Sequence, residues 1–146
     1  MLPSRSALQG WNPESLATSA AAINTGAQTV ADAVSGIDAA CERMPETRAW
    51  SGKSHEAASA MFGRAEREAS KFSEYANAVA SALAGGAGSI GGARKTLLAK
   101  ANELDAGPLN VSDEWVVLVD PAYMSEEEMA KLQALVLQEQ ATVTRC

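Results

Sequence analysis

The sequence predicts a mainly α-helical protein: a long antiparallel helical hairpin, followed by a short β-hairpin and a C-terminal helix. Three observations predict it. Alanine accounts for 30 of 146 residues, aromatic residues for only 5%, and apolar residues recur at helical spacing along two long stretches. Alanine is the strongest helix former and buries little surface. This composition disfavours a β-sandwich or barrel and favours slender, closely packed helices.

The first long helix is predicted from a repeat of apolar residues. From Leu16 to Met44 they alternate at spacings of four and three, which is the heptad seam by which helices pack side by side. Asn12 is suited to cap this helix and Pro13 to occupy its first position. Pro45 is expected to end it, because proline cannot continue the hydrogen-bonding pattern.

The second long helix is expected after a turn over residues 45–53. Its seam alternates in the same way from Ala58 to Leu83, and the phase continues beyond the glycine-rich residues 85–92. A flexible linker would have no reason to preserve that phase. One continuous or gently kinked helix is therefore predicted to about Asp105, with close approach of a partner backbone as the reason for the glycines. Local fraying of the glycine stretch is the alternative.

A different pattern follows Gly107 and Pro108. Residues 109–111 and 115–119 are rich in β-branched side chains and predict two short strands of a β-hairpin. Ser125 and Glu128 then have the spacing of a capping box, which predicts the start of a third helix.

Charge and hydropathy exclude several classes of protein. The net charge of −6 disfavours binding to nucleic acid. Residues 111–146 hold 7 acidic and 2 basic side chains, against 11 and 10 in residues 1–110, so the tail carries the acidity. No stretch approaches the roughly 20 apolar residues of a transmembrane segment. The first ten residues lack the apolar core of a signal peptide.

Nothing in the sequence indicates catalysis. Residues 86–91 match the GxGxxG fingerprint of dinucleotide-binding proteins, but that motif needs a preceding strand, and here a helical pattern precedes it. Ser89 lacks the context of a nucleophile elbow, and His55 has no second ligand or nucleophile to act with. Cys41 and Cys146 are too few for a disulfide framework or a zinc site. No catalytic residue, metal or cofactor is expected, and the protein is predicted not to be an enzyme.

The tripeptide Trp50-Ser51-Gly52 lies in the turn between the two long helices. Glycine permits a sharp backbone path into the second helix. With this tripeptide at the bend of an alanine-rich hairpin, residues 12–106 resemble the Trp-x-Gly helical-hairpin (ESAT-six-like) family of actinobacterial type VII (ESX) secretion.

The resemblance implies a function. Members of that family pair as four-helix homodimers or heterodimers, interact with the secretion machinery and are exported folded, without a cleaved signal peptide. The protein would be cytoplasmic before export and then secreted or held in the cell envelope. Trp50 and Gly52 would form a recognition surface at the bend. Tyr123 and Glu127 match the spacing of the family's export element, although Tyr123 precedes the cap of the third helix, a departure from the family's pattern.

Pairing is also expected on physical grounds. Apolar seams of about 30 and 50 residues cannot cover each other fully, because a helix rises only ~1.5 Å per residue. The surplus needs a partner chain, the tail of the same chain, or both. The residues predicted to form the pairing seam are Leu16, Ile23, Val30, Val34, Ile37, Phe62, Phe72, Val79 and Leu83.

Three regions are therefore expected: a flexible N-terminus (1–11), the Trp-x-Gly hairpin (12–106) and an acidic tail (107–146). The tail ends in an amphipathic helix without a C-cap, so we expect the chain to continue beyond Cys146. The predicted function is pairing, as a type VII secretion substrate or its targeting module. One alternative is an N-terminal dimerisation or regulatory domain of a larger enzyme, such as an α/β-hydrolase-like protein. The other is a structural coiled-coil protein.

Overall fold

The computed structural model describes residues 2–49, 51–120 and 125–145, and 82% of these residues are helical. In chain order the elements are α1 (Arg5–Gly10), α2 (Glu14–Arg43), α3 (Pro45–Ala49), α4 (Lys53–Asp105), β1 (Leu109–Val111), β2 (Val117–Val119) and α5 (Glu126–Arg145). The predicted fold class is confirmed: a long helical hairpin region, a two-stranded antiparallel sheet and a C-terminal helix are all present.

The chain divides into two compact units. The hairpin unit is Glu14–Ala87, and the terminal unit combines Met1–Pro13 with Gly88–Cys146. The division falls inside α4, whereas the sequence suggested regions bounded at residues 11 and 106. The heptad pattern of α4 continues across the division without interruption. The sequence pattern therefore does not indicate where one unit ends and the other begins.

The hairpin unit follows the predicted pattern at most of its helix boundaries. Helix α2 begins at Glu14 and ends at Arg43, just before Met44 and Pro45 as expected. The predicted turn over residues 45–53 differs in one respect, because its first part forms the short helix α3. The backbone N–H groups of Thr47 and Arg48 both donate to the carbonyl of Met44, each at 3.1 Å. Proline suits the first position of a helix, so Pro45 both ends α2 and begins α3.

Helix α4 is continuous through the glycine-rich residues 85–92, as predicted. The expected reason for the glycines, close approach of another backbone, is not visible within the described chain at most of these positions. A Cβ atom added at Gly85, Gly86, Gly88 or Gly92 would meet nothing within 4 Å, and one added at Gly91 would lie 3.7 Å from the Cβ atom of Pro13.

The terminal unit has the larger apolar core. Strands β1 and β2 pair antiparallel, with Asn110 opposite Leu118, and the inward faces of both strands pack on one cluster. The buried members of that cluster are Leu8, Leu97, Ala101, Leu104, Leu109, Val111, Trp115, Val117 and Val143. Leu98, Val119, Leu135 and Val136 pack against it while partly buried. The tail predicted from its β and helical patterns is thus folded onto the end of α4.

Two local predictions need correction in this unit. Residues 1–11 were expected to be flexible, but Arg5–Gly10 form helix α1 and Leu8 is buried in the core. The second strand was expected to begin at Trp115 and begins instead at Val117. Trp115 has a φ of 64°, a left-handed conformation that cannot belong to a strand, and its N–H donates to the carbonyl of Ser112.

Candidate interaction surfaces

The bend of the hairpin depends on Gly52. Its φ of 94° is a conformation that side chains disfavour, and glycine adopts it without steric cost. The carbonyl of Gly52 accepts the N–H of Glu56 at 3.1 Å, so this residue directs the chain into the first turn of α4. Trp50, the other member of the predicted recognition surface, lies outside the described residues.

A groove of about 710 Å³ lies beside this bend, between residues of α2, α3 and α4. Its wall is part apolar, from Met61 and Phe62, and part polar, from Asp38, Arg48 and His55. Cys41, also in the wall, is a free, half-buried cysteine. Among the described residues no group of three or more His, Cys, Asp or Glu side chains could hold a metal ion.

The two long helices of the hairpin unit approach each other mainly through alanine. Ala20 and Ala27 of α2 are buried, as are Ala69, Ala76 and Ala80 of α4. A shallow groove between the helices is lined by residues 31–35 of one and 66–70 of the other, and the bend groove by residues 38–42 and 58–63. Increasing numbers in α2 meet decreasing numbers in α4, so the helices run antiparallel.

The predicted pairing seam separates into two groups. Five of its members are half-buried in the single chain: Leu16, Ile23, Val34, Phe62 and Leu83. Four are exposed, at 43% for Val30, 54% for Ile37, 52% for Phe72 and 51% for Val79. The separation has a simple cause, because the alanine residues occupy the line of closest approach and the larger side chains flank it.

The exposed members lie on one side of the hairpin. Successive residues of a helix are rotated by about 100° around its axis. On this basis Val30 and Ile37 lie about 60–90° around α2 from its buried alanines, Ala20 and Ala27, on the side opposite to the sense in which the residue number increases. Phe72, Val79 and the exposed Met61 lie at a similar angle and in the same direction from the buried line of α4. Because the helices are antiparallel, rotations of the same sense bring both sets to the same side. We call Val30, Ile37, Met61, Phe72 and Val79 the apolar stripe.

The suggested export element is described only in part. Glu127 lies in the exposed first turn of α5 and accepts a 3.0 Å ion pair from Lys131, one turn further on. Tyr123 lies outside the described residues. The predicted capping box is present beside them: the N–H and hydroxyl of Ser125 donate to Glu128, and the N–H of Glu128 donates back to the Ser125 hydroxyl. The two bonds from Ser125 hold the pKa of Glu128 below its usual value.

A second set of polar contacts, in the terminal unit, was not predicted. The guanidinium of Arg5 lies against the Asp105 carboxylate, and this hydrogen bond lowers the pKa of Asp105. Lys100 forms a 3.0 Å ion pair with Glu139, which raises the pKa of the lysine. Arg5 and Asp105 are a hundred residues apart in the sequence, so no local pattern could have identified them as partners.

No helix in the described part of the chain is long and apolar enough to span a membrane. In a comparison with known protein families, residues 10–93 match the family described as proteins of 100 residues with WXG. The match includes the Trp50-Ser51-Gly52 bend and the whole hairpin unit, and it ends before the β-hairpin. Neither the curated proteins nor the solved structures compared with this chain gave a match.

Proposed function

Because this chain belongs to the WXG100 family, whose members are substrates of type VII secretion, we propose that it pairs through its apolar stripe and is exported in that paired form. The family match covers more than half of the chain and supports a secretion-associated helical-hairpin protein that acts by binding rather than by catalysis. The partner is either a second copy or another helical hairpin.

The exposure of the apolar stripe is the observation that carries the pairing proposal. Each of its five side chains keeps 43–54% of its surface exposed in the single chain. Full burial of a side chain of this size contributes about 1.5–3 kcal/mol, so covering the exposed half of each contributes about half of that. Five such gains on one side of a hairpin favour a second hairpin packed against that side.

The alanine line supports the same proposal. Alanine allows the two helices of one chain to approach closely but gives each pair little apolar burial. The hairpin unit therefore has a thin core of its own, with five alanines as its fully buried apolar residues in the described part. A four-helix assembly would enclose the larger side chains that the two-helix hairpin leaves at its surface.

Pairing is tested by the molar mass of the purified chain in solution, alone and mixed with helical-hairpin proteins encoded by neighbouring genes. We expect a dimer in one of these samples. The double variant Phe72→Asp/Val79→Asp adds two charges to the stripe and is expected to weaken the dimer by at least about tenfold in Kd. The matched control is Asn77→Asp/Ser81→Asp, which adds the same charges to exposed positions on another face of α4.

Three results would contradict pairing through the stripe. If the chain is a folded monomer in every sample, the hypothesis that it pairs is wrong. Equal weakening by the test and control variants would show a general charge effect. An unchanged dimer in the Phe72→Asp/Val79→Asp variant would place the interface elsewhere.

Export requires a separate experiment. We propose that Trp50 and Gly52 at the bend are recognised by the secretion machinery, and that Tyr123 and Glu127 contribute an export element. The amount of protein in the culture medium would be compared between strains with an active and an inactivated type VII system. Trp50→Ala is expected to reduce export while the circular dichroism spectrum and the dimer mass stay unchanged. Export that is unaffected by this variant, or by loss of the secretion system, would overturn the assignment.

A further inference from the structure

The N-terminal residues 2–11, which we call the N-terminal strap, are held to the terminal unit mostly by polar contacts. Within the strap, Leu8 is the one fully buried residue. It joins a cluster whose other buried members come from α4, the β-hairpin and α5. The strap therefore adds little to the apolar core, and its attachment depends on hydrogen bonds and charge.

Asp113, in the turn of the β-hairpin, binds the beginning of α1. Its carbonyl oxygen accepts the N–H of Arg5 at 2.8 Å. Its carboxylate accepts the N–H of Ser6 at 2.7 Å and the hydroxyl of Ser6 at 3.0 Å. The carboxylate lies at the first turn of the helix, where negative charge is favourable.

Asp105, at the end of α4, binds the strap through Arg5. The two guanidinium nitrogens of Arg5 divide their bonds: Nη2 donates to Asp105 and to the side-chain oxygen of Asn102, and Nη1 donates to the carbonyl of Val111 at 2.8 Å. Neither of the two carboxylates that hold the strap belongs to the strap itself: Asp105 lies on α4 and Asp113 on the β-hairpin. Removing their charge would weaken the bonds at Arg5 and at Ser6 together.

The other hydrogen bonds of the strap to the terminal unit involve no carboxylate. The indole N–H of Trp115 donates to the carbonyl of Pro3 at 2.7 Å. Arg94 donates to the carbonyls of Leu8 and Gln9, each at 2.7 Å. These bonds position the strap beside an open apolar groove of about 260 Å³, in whose wall Trp11 and Ile90 are also exposed.

We propose that the N-terminal strap is a releasable element latched by Asp105 and Asp113. When these carboxylates are neutralised, the strap opens separately from the rest of the terminal unit. Opening removes Leu8 from the cluster that includes Leu97 and Ala101 and breaks the bond between Trp115 and Pro3, so an apolar surface on α4 becomes accessible. The β-hairpin and α5 keep the rest of this cluster, which includes Val117 and Val143, and remain folded on α4.

The direction of the pH dependence follows from the two carboxylates. The hydrogen bond from Arg5 lowers the pKa of Asp105, and the N–H and hydroxyl of Ser6 lower the pKa of Asp113. A lowered pKa in the folded state gives stabilisation that is complete above the unfolded value, about 3.9, and is lost as the pH falls through the folded value. The strap is therefore closed at neutral pH and opens in acid, below about pH 4.

The other charged groups around the strap leave this direction unchanged. On α4, Lys100 is already paired with Glu103 and Glu139, and on the β-hairpin Glu114 follows Asp113.

Amide hydrogen exchange on the full chain tests the proposal. Arg5, Ser6 and Leu8 report the strap, since each has a hydrogen-bonded N–H, and Leu118 in the centre of β2 reports the β-hairpin. Exchange would be expressed as a protection factor, which corrects for the intrinsic effect of pH. Between pH 6 and pH 3.5 we expect the strap to lose protection by about fivefold or more, with little change at Leu118.

A variant separates the latch from a general effect of acid. Asp105→Asn/Asp113→Asn keeps an acceptor oxygen at both positions and removes the charge, so it is expected to release the strap already at pH 6. Glu128→Gln is the matched control, because Glu128 has a lowered pKa but lies in the capping box of α5. The double variant should also bind more of an apolar fluorescent dye than the control does.

Each outcome decides for or against the latch. Strap protection that stays within twofold in the double variant would overturn it. Equal loss of protection at Leu118 would show that the unit unfolds as a whole, and this would also overturn separate opening. An equal effect of Glu128→Gln would assign the change to charge in general.

Discussion

Gln140 of α5 acts towards Val117 as a neighbouring strand would. The N–H of Val117 donates to the side-chain oxygen of Gln140 at 2.7 Å, and the side-chain amide donates to the carbonyl of Trp115 at 2.9 Å. On the opposite edge of the sheet, the N–H of Val111 donates to the Asp105 carboxylate, and the carbonyl of Val111 accepts a hydrogen bond from Arg5. Side chains thus form hydrogen bonds with backbone N–H and carbonyl groups that face outward on both edges of the sheet. A two-stranded sheet without such partners would be only marginally stable in water.

We therefore predict that Gln140→Ala destabilises the terminal unit by about 1–3 kcal/mol, because it leaves partly buried groups of Val117 and Trp115 without their partner. The matched control is Gln138→Ala, an exposed position on the same helix, which should change stability by less than about 0.5 kcal/mol. Urea denaturation gives the difference, and hydrogen exchange at Val117 shows whether the effect is local. Equal stability of the two variants would contradict the role of Gln140.

Several features of the fold could be predicted because their causes are local. The helix limits depend on Pro45 and on the Gly107-Pro108 stop, and the capping box needs only Ser125 and Glu128, three residues apart. The continuity of α4 through its glycines followed from the phase of its seam. These signals are all contained in stretches of about ten residues or in a simple period.

The terminal unit could not be predicted in the same way. Leu8 is its one fully buried strap residue, and a single apolar position gives no period. Arg5 finds Asp105 across a hundred residues, and the position of Trp115 depends on a left-handed conformation that no residue preference indicates. In the hairpin the period was correct, but it could not distinguish the buried alanine line from the exposed Phe72 and Val79 beside it.

Lys100 forms two ion pairs whose strengths can be compared, one with Glu139 and one with Glu103. Its partner Glu139 is 16% exposed and 3.0 Å away, whereas Glu103 is 71% exposed and 3.4 Å away. We predict that Glu139→Gln costs about 0.5–1 kcal/mol of unfolding free energy and that Glu103→Gln costs less than about 0.3 kcal/mol. Thermal unfolding at low and at high salt would measure both, and the larger effect should shrink in salt.

The same pair has a defined pH dependence. Glu139 raises the pKa of Lys100 above the ordinary 10.5. A raised pKa means that the stabilisation is complete below the unfolded value and is lost as the pH rises through the folded value. The advantage of the wild type over Glu139→Gln should therefore persist from neutral pH to about pH 10 and decline above it. If the stability advantage of the wild type over Glu139→Gln instead increased above pH 11, the prediction would be contradicted.

Glycines at two positions of the hairpin unit are predicted to respond oppositely to the same substitution. Gly52→Ala places a side chain at a φ of 94° and should destabilise the hairpin by about 1–2 kcal/mol. Gly85→Ala adds a methyl group within α4, where a Cβ meets nothing within 4 Å, and should stabilise the hairpin by about 0.5–1 kcal/mol. Urea denaturation of the two variants under conditions that keep the chain monomeric measures both.

Pairing adds a further expectation for Gly85. If a partner backbone packs closely on the glycine-rich part of α4, the methyl group that stabilises the monomer should weaken the dimer. The dissociation constant of Gly85→Ala would then rise while its monomer stability also rises, a combination that simple helix propensity does not produce. A gain in monomer stability with an unchanged dissociation constant would show that Gly85 lies outside the interface and that the partner covers the apolar stripe alone.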